Sequence, residues 1–599
     1  MRDNDYYWIL YSLGIYFKTL WLAINYYFVD SCYSFLSTMM IKPGILWLGL
    51  LTPALSQSTS CKCFPGESCW PTVGNWSALN DEVEGRLIQT IPLGSPCHDP
   101  TYDAEACTAL QGVWFKPVTH YQSSSSVMEA FFANASCDPF LPRSSQCVIG
   151  TYVQYTVNVS TSDHVVSALN FAKKNNIRFV IRNTGHDYEG KSTGAGALGI
   201  WTHHLKDKSI LDWSDEHYQG KAIKLGAGIQ GFEAIAFATA SNLVLVTGIC
   251  STVGITGGYL AGGGHGPLLS KFGLGADQAL EYEVIDGQGR YLTVNRMTNS
   301  DLYWALSGGG GGTYAVVLSV VVKAYPEEVT TVTNLAVYSA GLSNETYISA
   351  LVSWVRNLPN LVDSGAMATF LIDRTSLLAP TIVAYGKTTD ELNALLQPFY
   401  SSLIALNVTY SANTTTYSTY GESYPVVSTV ISDDAYSSHG GTWLTPRASL
   451  ANDTARNAYV EGILEATDLG VTALLGSWNA SKKGDIDNGV FPQWRSTLIG
   501  NAFIVPLSTP WNLTSIEVAQ HLLTNQVLPI FQKLYPDGGA YLNEADYNDP
   551  NWKVNFYGTN YAKLREIKTI YDPSDIFYGS TAVGGDEWYQ TETKQLCRV

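Results

Sequence analysis

The alternation of apolar and polar residues from position 150 onward predicts short strands set between helices. Thr161-Ser162-Asp163 caps a segment in which Val165, Leu169 and Ala172 recur at helical spacing and which closes on Lys173-Lys174-Asn175-Asn176. A strand over 178–181 follows at once and runs into Asn183-Thr184-Gly185-His186-Asp187. Further strands are predicted at 197–201, 222–226 and 243–246, with a helix over 230–241 between the last two. Residues 279–285 and 290–294, joined by Asp286-Gly287-Gln288-Gly289, read as a hairpin. Residues 301–306 form a helical turn, and five consecutive glycines (Gly308 to Gly312) lead into a buried strand over 314–322. Beyond Tyr325-Pro326 the glycine runs stop. Strand-like runs at 335–338, 368–372 and 381–385 mixed with helical segments then indicate an α+β region with one covered sheet face.

The segmentation that results is a leader over 1–56, a cysteine-rich segment over 57–150, a glycine-rich domain over 151–326, an inserted domain over 327–535, and a closing segment over 536–590. A chain of 599 residues with 46% hydrophobic content can bury two or three cores. Its net charge of −17 argues against a nucleic-acid partner, which would need concentrated Lys and Arg. The leader holds a run over 6–36 interrupted by Lys18 and Asp30. After it, Met40, Lys42, the apolar stretch 45–51 and Ala54-Leu55-Ser56 make a signal-peptide pattern over 40–56. A secreted or secretory-pathway location is therefore expected, with membrane attachment only if the upstream segment is retained as an anchor.

Of ten cysteines, setting aside Cys32 and Cys250 leaves eight: Cys61, Cys63, Cys69, Cys97, Cys107, Cys137, Cys147 and Cys597. An even set, seven of whose members crowd behind the leader, reads as a disulfide framework rather than a zinc site, because Cys61, Cys63 and Cys69 lack a matching Cys/His pair. No metal is expected. Nine Asn-x-Ser/Thr acceptors, from Asn75 to Asn512, fit the same compartment.

The chemistry points to backbone rather than side chains. The loop Arg182, Asn183, Thr184, Gly185, His186, Asp187 offers consecutive amides. A second stretch, Cys250-Ser251-Thr252-Val253-Gly254, opens a segment dense in glycine, Gly257 and Gly258 included. Amides freed by glycine converge readily on an anionic cofactor group. Gly226-Ala227-Gly228-Ile229-Gln230-Gly231 fits the letters of a dinucleotide fingerprint and competes as an explanation. No H-E-x-x-H pattern occurs.

Three motifs in order, Arg-Asn-Thr-Gly-His-Asp-Tyr-Glu-Gly, Gly-Ile-Cys-Ser-Thr-Val-Gly with Gly-Gly-Tyr-Leu-Ala-Gly-Gly-Gly-His-Gly, and Asp-Leu-Tyr-Trp-Ala-Leu-Ser-Gly-Gly-Gly-Gly-Gly-Thr-Tyr, resemble the berberine bridge enzyme-like branch of the vanillyl-alcohol oxidase flavoproteins, with the texture of the fungal isoamyl alcohol oxidase-like group. The resemblance implies a two-part PCMH-type FAD-binding domain, its halves separated by an α+β substrate domain with an antiparallel sheet covered by helices. It implies FAD bonded through His186 at the 8α-methyl and through Cys250 at ring carbon 6. Gly254, Gly257 and Gly258 match the part near the phosphates, and Arg182, Asn183, Thr184, Gly185, Asp187, Thr252, Val253 and Tyr314 belong to the same motifs. The implied activity is that of an oxidase passing hydride from an alcohol-type small molecule to FAD and on to molecular oxygen. Oxidative cyclisation or desaturation of a natural product, a dehydrogenase, and a ligand-binding glycoprotein on a degenerate fold are the alternatives. A base is required, and Tyr541, Glu544 and Asp546 are the candidates. Glu544 stands where relatives carry a second tyrosine, Ala315 where they carry glycine, and Ser251 where they carry proline.

Overall fold

The computed structural model describes residues 61–429, 434–481 and 486–599. The signal-peptide and anchor expectations, with Cys32, lie outside the described residues. Among those residues, no helix is long and apolar enough to cross a membrane.

The helix Ser162–Lys174 starts where Thr161 accepts the His164 amide, and it buries Val165, Ala168, Leu169 and Ala172. Its apolar stripe covers a four-stranded sheet ordered Leu87–Gln89, Tyr155–Asn158, Leu198–Trp201, Phe179–Arg182. The last three strands are parallel, and Arg182 pairs with Trp201, so the chain leaves both strands at one edge. Loops at the carboxyl edge of parallel strands are the usual ligand-facing loops of such sheets. The His186 loop is one of them.

A second, antiparallel sheet runs Lys208–Ser214, Gln219–Gly226, Ala315–Lys323, Ala279–Asp286, Tyr291–Asn295. Its outer strand Lys208–Ser214 is largely exposed and polar, so hydrophobic alternation gave no warning of it. The expected strand over 243–246 shortens to Leu243–Val244, paired with Tyr325–Pro326, where proline supplies no further donor.

From Thr330 the chain builds a seven-stranded antiparallel sheet: Tyr410–Tyr417, Thr330–Tyr338, Ser376–Tyr385, Met367–Ile372, Thr472–Ser477, Thr497–Pro506, Ser438–Pro446. The helices Asn344–Asp363, Thr389–Ala405 and Asp453–Asp468 bury Trp354, Phe399 and Tyr459 in one core with the sheet residues Phe370 and Phe503. Each is capped by its preceding residue, Ser343, Thr388 or Asn452. Residues on the opposite pleat are left to form a wall.

The eight cysteines set apart from Cys32 and Cys250 are all paired: Cys61–Cys597, Cys63–Cys69, Cys97–Cys107 and Cys137–Cys147. Cys250 belongs to none of these pairs. The first bridge ties the start of the described chain to its final strand pair, Trp588–Gln590 with Leu596–Arg598. The closing segment is anchored again by Lys568, a buried side chain of the helix Tyr561–Tyr571. Its Nζ donates to Thr313 O at 2.9 Å, Phe577 O at 2.9 Å and Asp572 Oδ2 at 2.7 Å.

Candidate cofactor and substrate site

Gly185 sits at φ +84°, and a Cβ there would come within 2.7 Å of the Arg182 guanidinium. Only glycine allows the chain to turn so closely over that buried arginine. Arg182 donates to Ser123 O and His120 O, and burial lowers its pKa to about 10. Asp187 orders the next turn by accepting the amides of Glu189 and Ser192. Asn183 is locked from both sides: its Nδ2 donates to Ala227 O at 2.7 Å, and Trp201 Nε1 donates to its carbonyl at 2.9 Å.

His186 Nε2 lies 2.8 Å from Thr252 Oγ1, a hydrogen bond that joins the His186 loop to the Cys250 loop. Burial, with smaller contributions from His120 and Arg182, lowers the His186 pKa to about 4. The imidazole is thus neutral near pH 7, the form in which a ring nitrogen keeps a lone pair. The Cys250 loop is held by the start of the helix Gly231–Thr239: the Gly231 amide donates to Val253 O and the Phe232 amide to Ser251 O. Gln230 Nε2 adds a bond to Thr252 O.

This arrangement removes the dinucleotide-fingerprint reading of Gly226 to Gly231. The strand before it lies in an antiparallel sheet, and a Cβ on Gly226 or Gly228 would strike Leu205 O at 2.4 Å or His203 O at 2.0 Å. These glycines serve chain packing, and the helix amides are already spent on the Cys250 loop.

Gly257, Gly258 and Gly312 are different. A Cβ on any of them would meet nothing within 4 Å, and all three line a cavity of about 580 Å³. Asn183, Thr184, Gly185, His186, Asp187, Cys250, Val253 and Gly254 line the same cavity. A bare-backbone cradle beside two nucleophile-bearing loops fits a large anionic cofactor such as FAD. The glycine segment is tied to the closing segment by Asn543, whose Nδ2 donates to Gly258 O at 2.9 Å and to Tyr541 Oη at 2.8 Å.

Across the cavity stand Tyr541 and Glu544. Tyr541 is buried, and burial followed by the Glu544 charge pushes its pKa far up. Glu544 Oε1 lies 2.9 Å from His265 Nε2, and the His265 ring stacks on Trp478 with centroids 5.2 Å apart. Trp478 is itself seated on glycines, because Gly476 pairs with Gly500 and a Cβ on either would approach the indole to 2.3 Å. Thr369, Leu474, Ala502 and Ile504 of the seven-stranded sheet complete this side. At another part of the wall, Glu129 is buried with Oε2 unpartnered, and burial followed by Asp187 raises its pKa well above the carboxylate range.

Four expected site residues are off the cavity wall. Asp546 is turned away, accepting Thr524 Oγ1 at 2.5 Å and the Asn548 amide at 3.0 Å, and is buried near His439. The 3₁₀ turn Leu542–Glu544 brings Tyr541 and Glu544 to one side, and extended Ala545 then redirects the chain. Arg182 and Thr252 stand behind the wall, bracing it. Tyr314 braces the glycine run, its buried hydroxyl donating to Gly309 O at 2.7 Å. His265, Trp478 and Glu129 were not singled out by sequence reasoning. Only His265 carried a signal, its place inside the Gly-Gly-Gly-His-Gly run.

Comparison with known proteins agrees with this geometry. The family model described as FAD binding domain matches residues 153–295, and that described as berberine and berberine like matches residues 540–584, so the two bracket the seven-stranded sheet. The paired loops and glycine cradle lie within an FAD-binding fold. The chain is 42% identical over 564 residues to the FAD-linked oxidoreductase ZEB1 of Gibberella zeae, covering 93% of this chain and 97% of that protein. It is 38% identical over 563 residues to the VAO-type flavoprotein oxidase VAO615 of Thermothelomyces thermophilus, covering 92% and 97%. The crystal structure of the VAO-type flavoprotein MtVAO615 from Myceliophthora thermophila superimposes with a TM-score of 0.87 at 36% identity, covering 90% of this chain and 100% of that one. The chain belongs to the FAD-linked oxidoreductases of the vanillyl-alcohol oxidase and berberine bridge enzyme-like family.

Proposed function

We propose that this enzyme is an oxidase of an alcohol-type small molecule, with FAD attached through His186 and Cys250 and molecular oxygen as the final acceptor. The carrying observation is that His186 and Cys250, borne on separate loops, line one cavity together with the open glycine cradle. Bound FAD would supply the hydride acceptor and the route of electrons to oxygen. The neutral His186, fixed by Thr252, and the Cys250 thiol are the groups that would hold it.

The Glu544–His265 pair is the best placed to take the substrate hydroxyl proton, because it lies on the cavity wall and its 2.9 Å contact lets the charge spread over two groups. Tyr541, held neutral by burial, orients the substrate oxygen as a hydrogen-bond donor. Trp478 and Trp494 narrow the cavity and exclude water. The secretory reading is supported by the four disulfides and by the acceptor asparagines. Asn75, Asn134, Asn344, Asn407, Asn413, Asn452 and Asn512 are exposed, and Asn158 and Asn479 are half-buried.

Denaturing gels test the attachment. His186→Ala and Cys250→Ala should each keep a fluorescent flavin band, and only the double variant should lose it. Hydrogen peroxide release over a panel of alcohols, sugars and polyketides tests the oxidase reading. A colourless protein from flavin-replete cells would refute the attachment, and a yellow protein that reduces with substrate but consumes no oxygen would refute the acceptor. Glycosidase treatment of the secreted protein should increase its gel mobility; an unshifted band in the cell extract would refute secretion.

A further inference from the structure

A second chamber, of about 270 Å³, shares Glu189 with the main cavity and carries the exposed Gln590 and Lys594 on its rim. On its floor is Arg178, only 5% exposed. Arg178 Nη2 donates to Thr193 O at 3.2 Å, while its Nε is buried and has no hydrogen-bond partner. The guanidinium lies 5.2 Å from the Tyr578 ring centroid, and no carboxylate among the described residues forms an ion pair with it. A buried, unpaired guanidinium is costly, and a donor left without an acceptor adds to that cost. The chain nonetheless keeps the space beside it clear. A Cβ on Gly194 would fall 2.4 Å from Arg178 Nε, and one on Gly190, at φ +69°, would fall 2.5 Å from the Phe132 ring.

The rest of the lining suggests what belongs there. Phe131 and Tyr547 stack with centroids 4.9 Å apart and planes 12° apart, and Phe132 packs on Tyr547 at 5.0 Å. The one acidic residue in the lining, Glu189, already accepts Lys191 Nζ at 2.8 Å and Thr581 Oγ1 at 2.8 Å. Its charge is offset by Lys191, and the chamber is left with the positive charge of Arg178 and Lys594, within a chain of net charge −17. A planar carboxylate matches the fork of a guanidinium, and an aromatic ring matches the wall.

We propose that this chamber is a binding site for a small aromatic carboxylate, its carboxylate on Arg178 and its ring against Phe131, Phe132 and Tyr547. The site is distinct from the cofactor cradle and touches it only through Glu189. Occupancy would supply the counter-charge that Arg178 lacks.

Titration calorimetry of the purified holoprotein with benzoate tests this. One equivalent should bind saturably, and benzyl alcohol, acetate and inorganic phosphate should each bind at least about tenfold more weakly, since each lacks either the charge or the ring. Arg178→Gln should weaken benzoate at least about tenfold, the loss of one charge-assisted contact. Because that variant removes a buried side chain, the exposed Lys594→Gln provides a second reading: binding should weaken about two- to fivefold, with a shallower dependence on salt. Absence of benzoate binding by the wild type overturns the proposal. So does affinity unchanged in both variants, phosphate binding as tight as benzoate, or a benzoate-induced change in the flavin spectrum that persists in Arg178→Gln and marks binding in the main cavity.

Discussion

Lys568→Met removes a cation on which the closing segment depends. Lys568 is 1% exposed, and its three N–H donors are consumed by Thr313 O, Phe577 O and Asp572 Oδ2. Asp572, 0% exposed, also accepts the amides of Ile576 and Phe577, so the variant leaves a buried carboxylate with hydrogen bonds but without the cation in contact with it. Stranding one partner of a buried pair costs about 3–5 kcal/mol. With an unfolding entropy of about 2.1 cal/mol/K per residue over roughly 540 residues, that cost lowers the melting temperature by about 3–4 °C. The same change frees Thr313 O, next to the cavity-lining Gly312, so flavin should also be lost at a lower temperature than in the wild type. Melting followed in parallel by near-ultraviolet circular dichroism and flavin fluorescence reads both effects. Lys568→Met/Asp572→Asn, which removes the stranded charge, should recover at least half of the loss. A shift under about 1 °C, or a double variant no better than the single, would refute the reasoning.

Gly258→Ala should leave the apoprotein melting temperature nearly unchanged, because a Cβ there meets nothing within 4 Å, but it should cut flavin content, read as the ratio of visible to ultraviolet absorbance. Equal flavin content would mean that the cradle is not where the cofactor lies. Glu544→Gln should retain flavin and lower kcat by about 10²–10⁴-fold, whereas Asp546→Asn, away from the cavity, should change kcat by less than about threefold. His120 and His439 have pKa values lowered by burial to about 4, below the ordinary value of 6.5. As pH falls the unfolded chain takes up these protons first, so stability is indifferent to them above about 6.5 and is lost between about 6.5 and 4, on the order of 2 kcal/mol per histidine by pH 5. Melting curves from pH 7.5 to 4.5 check the sign, and His120→Asn should flatten the acid limb.

The loops that hold His186 and Cys250 were legible because their chemistry is local. Gly185 must turn over Arg182, and a cysteine outside an even disulfide set stands out by arithmetic. The pairing of the two loops was not written locally, since it rests on Thr252 meeting His186 and on helix amides that bind the Cys250 loop. Trp478 was illegible for a different reason: it owes its place to Gly476 lying opposite Gly500, a register set by strands more than twenty residues apart. Asp546 was misplaced because neighbours in sequence were taken as neighbours in space, and one extended residue after a 3₁₀ turn breaks that link.

The cavity draws its two sides from different kinds of backbone. The cradle is glycine, where an added side chain would project into the cavity. The far side is pleated sheet, where Leu474, Ala502 and Ile504 can be exchanged without moving a hydrogen bond of the ladder. Inherited variation should therefore collect on the sheet and be purged from the glycines. Within such a lineage, the chemistry of the redox centre would stay fixed while the molecules offered to it diversify, and a library confined to the sheet-borne positions would sample new substrates with flavin incorporation left intact.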